Sequence, residues 1–245
     1  MYDMHCHLDL MPSMKEIANQ TLKNNINILT MTTTPKAYEK EINLLNNYKN
    51  IRIALGLHPQ LVKERYRELK IVEKYIKSAN YIGEIGLDFG RQYYSSKEKQ
   101  VEVFDKIIYW SSLYGNKVIS IHSVRADKMI MDILEKYRCT KNNICILHWF
   151  SGTITQLNRA VELGCYFSVN IKMINSQNGK KILERIPQDK ILIESDAPFI
   201  SEVKNGNQLN EILKSTYMEI KNSYHVKLDE VNNLSTIIFS KENCI

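Results

Sequence analysis

Short apolar, β-branched runs alternate with longer segments of helical spacing along almost the whole chain. That switch between a period of 2 and a period of 3.6 is the signature of parallel strands wrapped by helices. The strands are expected near residues 2–8, 26–33, 51–57, 81–86, 117–122, 144–148, 165–169 and 190–195. Helical spacing covers 14–23, 36–46, 63–77, 97–114, 126–137 and 153–163, then recurs at Leu209, Ile212, Leu213, Tyr217 and Ile220 and again over 229–239. Eight strands with intervening helices predict an α/β fold, a single (β/α)8 TIM barrel. At 245 residues the chain has the length of one such barrel, so 1–245 is read as one domain.

Composition removes several alternatives. Hydrophobic residues make up 44% and charged residues 24%, as in a globular protein and unlike a disordered one. No apolar run reaches the roughly 18 residues of a membrane span, and the opening Met1-Tyr2-Asp3-Met4-His5 lacks the basic start of a secretory leader. A cytoplasmic protein without a membrane partner is therefore expected. The five cysteines, Cys6, Cys139, Cys145, Cys165 and Cys244, form no CxxC pair and read as buried thiols. The net charge of +6 leans mildly toward polyanionic partners.

Five of the six histidines fall at strand ends: His5 and His7 on the first, His58 after the third, His122 on the fifth and His148 on the sixth. Glu84 on the fourth and Asp196 after the eighth occupy matching places. In a (β/α)8 barrel these positions share one mouth, the C-terminal face where active sites are built. Any one buried histidine is better explained by an internal hydrogen bond; the set is better explained by metal. Alternation along a strand points His5 and His7 to the same side and Cys6 to the other. Imidazoles mixed with carboxylates suit zinc, manganese or iron-like ions, and magnesium where oxygen dominates. Such ions lower the pKa of water and polarise a phosphoryl or carbonyl oxygen. Glu84 is placed to bridge a pair of ions about 3.5–4 Å apart, and Asp196 to bind one and take a proton from the attacking water.

Six strings in order complete the picture: Asp3-Met4-His5-Cys6-His7-Leu8-Asp9, Gly56-Leu57-His58-Pro59, Ile82-Gly83-Glu84-Ile85-Gly86-Leu87-Asp88-Phe89, Ile121-His122-Ser123, His148-Trp149-Phe150-Ser151-Gly152 and Ile193-Glu194-Ser195-Asp196-Ala197-Pro198-Phe199. Together they resemble the TatD-type metal-dependent deoxyribonucleases of the amidohydrolase superfamily over residues 3 to 199. The resemblance implies a hydrolase with two divalent ions (Mg2+, Mn2+ or Zn2+) that cleaves phosphodiester bonds of single-stranded DNA from the 3′ end. It implies that His5, His7, Glu84 and Asp196 hold one ion and Glu84, His122 and His148 the other, with Glu84 and Asp196 catalytic and His58 in substrate or supporting work.

The chain departs from the family pattern after His122-Ser123, where Val124-Arg125-Ala126 replaces an Arg followed by an acid, and in shortened segments between His58 and Glu84 and after Asp196. In these compact features it is similar to the TatD-like members of the Qat anti-phage defence systems, which implies protein partners. Arg125 and Lys172 are the expected phosphate contacts. Asp9 is expected either to orient a ligand histidine or to cap a turn, Asp88 and Arg91 to pair locally or meet phosphate, and Tyr93 and Tyr94 to stack on bases or lie idle. At least one of Trp149 and Phe150 belongs in the core, and His225 on the surface. Two other readings stay open: a metal-dependent hydrolase of a small ester, amide or aminoacyl substrate, and an interaction subunit of a defence complex.

Overall fold

A computed structural model describes residues 1–241. Eight parallel strands run in chain order: β1 (Tyr2–Cys6), β2 (Asn27–Met31), β3 (Ile51–Ala54), β4 (Tyr81–Asp88), β5 (Val118–Val124), β6 (Ile144–His148), β7 (Tyr166–Val169) and β8 (Ile191–Ile193). Each pairs with its sequence neighbour within β1 to β3 and within β4 to β8. Backbone bonds complete the ring at the two remaining seams. Leu55, just past β3, donates to Tyr81 O at 2.9 Å and accepts from Gly83 N at 2.9 Å. Beyond β8, Asp196 N donates to His5 O at 2.9 Å and His7 N to Ala197 O at 2.8 Å. Asp3, fully buried, locks the same seam by accepting from Ser195 N and Oγ at 2.9 and 2.6 Å. The fold is the expected α/β barrel.

The helices are α1 (Met14–Lys23), α2 (Pro35–Leu45), α3 (Val62–Arg65), α4 (Leu69–Tyr75), α5 (Lys97–Tyr114), α6 (Asp127–Lys136), α7 (Ile154–Glu162), α8 (Ile171–Asn175), α9 (Gln177–Leu183), α10 (Gly206–Tyr224) and α11 (Leu228–Phe239). Local chemistry sets their ends. Thr34 caps α2 with Pro35 at its first position. Thr153 and Gln156 form a capping box on α7.

Two expectations need correction. The helix expected over 63–77 is broken by a 3-10 turn at Tyr66–Glu68, which carries Glu68 inward to meet Arg65 at 3.2 Å. Between β7 and β8, where the spacing assigned no helix, Asn170 and Ser176 each cap a short one, α8 and α9.

Outward side chains of the strands pack against the helices in one large apolar shell. Inward ones, among them Met4, Leu29, Met31, Tyr81 and Leu192, fill the barrel, and Ile238 of α11 joins them. The Tyr81 hydroxyl donates to Ile238 O at 3.1 Å, tying α11 across the N-terminal end. The opposite end is left to the polar strand-end residues. Cys6, Cys139, Cys145 and Cys165 are free and buried; Cys244 lies outside the described residues.

Candidate metal centre

Glu84, in the middle of β4 and 1% exposed, turns one oxygen toward each of two histidine groups. Its Oε2 lies 3.4 Å from His5 Nε2 and 3.1 Å from His7 Nε2. Its Oε1 lies 2.8 Å from His122 Nδ1, 3.0 Å from His148 Nε2 and 3.3 Å from His58 Nε2. Asp196 Oδ1 closes the first group at 3.8 and 3.7 Å from His5 and His7. Glycines let the strands come this close. A Cβ at Gly56 would stand 2.5 Å from Glu84 N, and one at Gly86, where φ is 145°, would stand 2.0 Å from His122 O.

The donor set fits divalent metal. His5 Nε2 and His7 Nε2 face each other at 3.2 Å, so at most one of them carries the proton of a hydrogen bond between them. Asp196 Oδ1 is buried beside them without a hydrogen-bond partner. An ion accepting all three lone pairs removes that conflict. His5, His7 and Asp196 have ligand atoms within 4.8 Å of one another, as have His58, Glu84 and His122.

The second nitrogen of each ring distinguishes the candidate ligands. His5 Nδ1 bonds Ser120 Oγ at 2.8 Å, His148 Nδ1 faces Glu194 Oε1 at 3.5 Å and His7 Nδ1 faces Asp9 Oδ1 at 3.9 Å. His122 is reversed, with Nε2 toward Asp88 Oδ2 at 3.3 Å. An acceptor there fixes the N–H and leaves the inward nitrogen as the lone pair a metal needs. His58 differs: its Nδ1 accepts from Gln60 N at 3.3 Å. That contact favours a proton on Nε2, the nitrogen that faces Glu84.

Residues 2–241 match the family model described as TatD related DNase. The chain belongs to this family. An uncharacterized metal-dependent hydrolase of Buchnera aphidicola subsp. Baizongia pistaciae is 28% identical over 213 residues, 82% of this chain and 79% of that one. The human deoxyribonuclease TATDN3 is 26% identical over 220 residues, 82% of this chain and 79% of its own length. In fold the chain is similar to YjjV, a TatD homolog of Escherichia coli, with a TM-score of 0.81, 20% identity and 98% of both chains covered. This TatD family member is thus a metal-dependent hydrolase by family, with five histidines gathered around Glu84 and Asp196 at the barrel mouth.

Buried negative charge dominates the electrostatics of the TatD family site. Despite burial, Glu84 is held well below the usual carboxylate range by His58, His148 and His122. Burial opposes protonation of His7 and His148, yet nearby carboxylates raise both. Burial, with His148 alongside, lowers His5 to about 4. Burial pushes Asp196 up to about 7. The carboxylates thus call for positive charge, which bound divalent ions also provide.

Three strand ends carry strained backbone: Arg125, Trp149 and Asp196 have φ of 55°, 39° and 47°. Arg125 is exposed, and Ser123 and Val124 line the cavity in its place. Lys172 is exposed on α8 with its ammonium 3.5 Å from Phe199 O. Asp9 Oδ2 accepts from Thr33 N and Oγ1 at 2.8 and 2.7 Å, while its Oδ1 faces His7, so it ties down a loop beside a ligand. Asp88 turns to Gln60 and His122 rather than to Arg91. Tyr93 and Tyr94 do not line the cavity, Phe150 is in the core and His225 is exposed.

Sequence reasoning gave Glu194 no role. It is fully buried, accepts from Ser168 Oγ and from Asn170 Nδ2 at 2.8 Å, and faces His148. An acid two residues before Asp196 at the end of an apolar strand was the available signal.

Proposed function

We propose that this chain is a deoxyribonuclease that degrades single-stranded DNA from the 3′ end with two divalent ions, acting as one domain. The observation that carries the reading is Glu84, whose two oxygens address separate histidine groups within one buried mouth. His5, His7 and Asp196 would hold one ion with Glu84, and His122 and His148 the other. Bound there, the ions lower the pKa of water and polarise a phosphoryl oxygen.

The protein's own groups do the rest. Asp196, at the end of β8 beside His5 and His7, is placed to accept a proton from the attacking water. His58, on the cavity wall beside Glu84, would turn its ring N–H from Glu84 to an oxygen of the bound phosphate. Lys172 and Arg125 meet phosphates farther along the strand. The name of the human relative and the family description support DNA as the substrate. The trimmed loops are the support for an anti-phage setting with protein partners, and the four buried thiols suit a reducing, cytoplasmic one.

One observation favours a second reading, hydrolysis of a small ester, amide or aminoacyl substrate. Among the described residues no Lys or Arg lines the cavity of about 400 Å³ at the mouth. Salt separates the two: a nuclease weakens steeply as salt rises, a small-substrate hydrolase little. The direct test is an end-labelled single strand incubated with magnesium, manganese, zinc or chelator, beside Asp196→Asn. Metal-dependent loss of label from the 3′ end, absent in the variant, is the expected result. Full activity in chelator or in Asp196→Asn contradicts it.

A further inference from the structure

The cavity over Glu84 has two unlike sides. Gln60 and Ser123 stand among its histidines as polar lining, whereas Trp149 at the end of β6 and Phe199 after β8 present aromatic rings. Phe199 is 53% exposed, unusual for a large apolar side chain beside charged groups, and meets His7 edge-on with ring centres 5.0 Å apart. Trp149 is only partly buried, and its neighbour Phe150 already fills the core. The left-handed backbone at Trp149 is a conformation bulky residues seldom take, and it is kept at the edge of the reactive groups. Lys172 joins the two aromatics: its ammonium lies 5.9 Å from the Trp149 ring centre and 3.5 Å from Phe199 O.

A ligand suited to this lining has a flat apolar face, an anionic centre for the carboxylate-rich metal site and a further negative charge at the rim. A strand of nucleotides has all three. Aromatic faces stack on any base, because every base has a π-face, and most freely where unpairing leaves that face open. We propose that Trp149 and Phe199 form a stacking platform for the nucleobase beside the scissile phosphate, with Lys172 receiving the next phosphate along the strand. The platform makes an unpaired end the preferred substrate and is indifferent to base identity. It rests on the nuclease reading above.

Kinetics on oligonucleotides ending in a normal or an abasic nucleotide test it, with Trp149→Ala, Trp149→Phe and Phe199→Ala. Trp149→Ala is expected to raise KM about tenfold on the normal end with a smaller change in kcat, and Trp149→Phe to recover most of the loss. Phe199→Ala, at an exposed position, is expected to lose severalfold. The abasic end should cost the parent protein about as much as Trp149→Ala does. Unchanged KM in both alanine variants, or equal cleavage of the two ends, overturns the platform.

Fluorescence separates this failure from failure of the nuclease reading. The chain has two tryptophans, so Trp110→Phe leaves Trp149 as the only indole reporter. Quenching by a deoxyoligonucleotide in chelator, in a protein that cleaves no DNA with any metal, refutes the nuclease and keeps the platform. No quenching overturns the platform.

Discussion

The β1 half of the mouth is sealed, whereas the half built on β3, β5 and β6, with Asp196 and Phe199 after β8, opens to the cavity. His5 and His7 are wholly buried, and their strand is bonded across the seam to Asp196 and Ala197. His122 keeps 13% of its side chain exposed and lines the cavity with His58 and His148. Both halves draw on one carboxylate, Glu84. On the two-ion proposal, the buried half would keep its ion and the open half would share its ion with substrate.

Removing the shared residue should have the largest effect. Glu84→Ala is expected to lower kcat/KM about 10³-fold and to reduce metal content at both positions, read by activity and by elemental analysis of dialysed protein. Loss of a single ion would show that the two halves are independent. Next, His122→Ala should lose the open-side ion only, while His58→Ala keeps both ions and loses about 10- to 100-fold in activity. Metal titration of the two variants checks this, and loss of an ion in His58→Ala would make His58 a ligand after all. Glu194→Gln should weaken the open-side ion by about tenfold through its hold on His148 and leave the sealed side alone.

The smallest effect comes from behind the sealed half, where the Glu41 carboxyl of α2 is fully buried, with Thr30 to oppose part of the cost of its charge. Burial and the nearby Asp9 carboxylate raise its pKa well above the usual range. A folded-state pKa above the unfolded value of 4.5 means stability that is present below that pH and lost as pH rises toward the folded value. Glu41→Met should therefore stabilise by about 1 kcal/mol at pH 8, a rise in Tm of about 3 °C, with the gain shrinking toward pH 4.5. Thermal melts at the two pH values measure it.

The sealed half was the more legible in sequence. His5-Cys6-His7 lies on a strand, where alternation alone predicts shared direction, while Glu84 falls within the fourth apolar run and Asp196 just after the eighth. The barrel was equally readable, because strand after strand is an apolar run between helical segments. What escaped depended on contacts between distant residues. His58 is oriented by Gln60 N, and Glu194 faces a histidine 46 positions away in sequence (194 − 148). The short helices α8 and α9 are set by single capping side chains rather than by apolar period. Trp149 and Phe150, adjacent and both aromatic, part company because the strained backbone at Trp149 lets one face the cavity and the other the core.

The most direct test of the shared carboxylate is anomalous diffraction from crystals of this protein soaked in manganese. Two peaks are predicted, one beside Glu84 Oε2 among His5, His7 and Asp196, the other beside Oε1 among His122 and His148, with the first persisting at lower manganese. A single peak, or a pair not bridged by Glu84, would contradict the account.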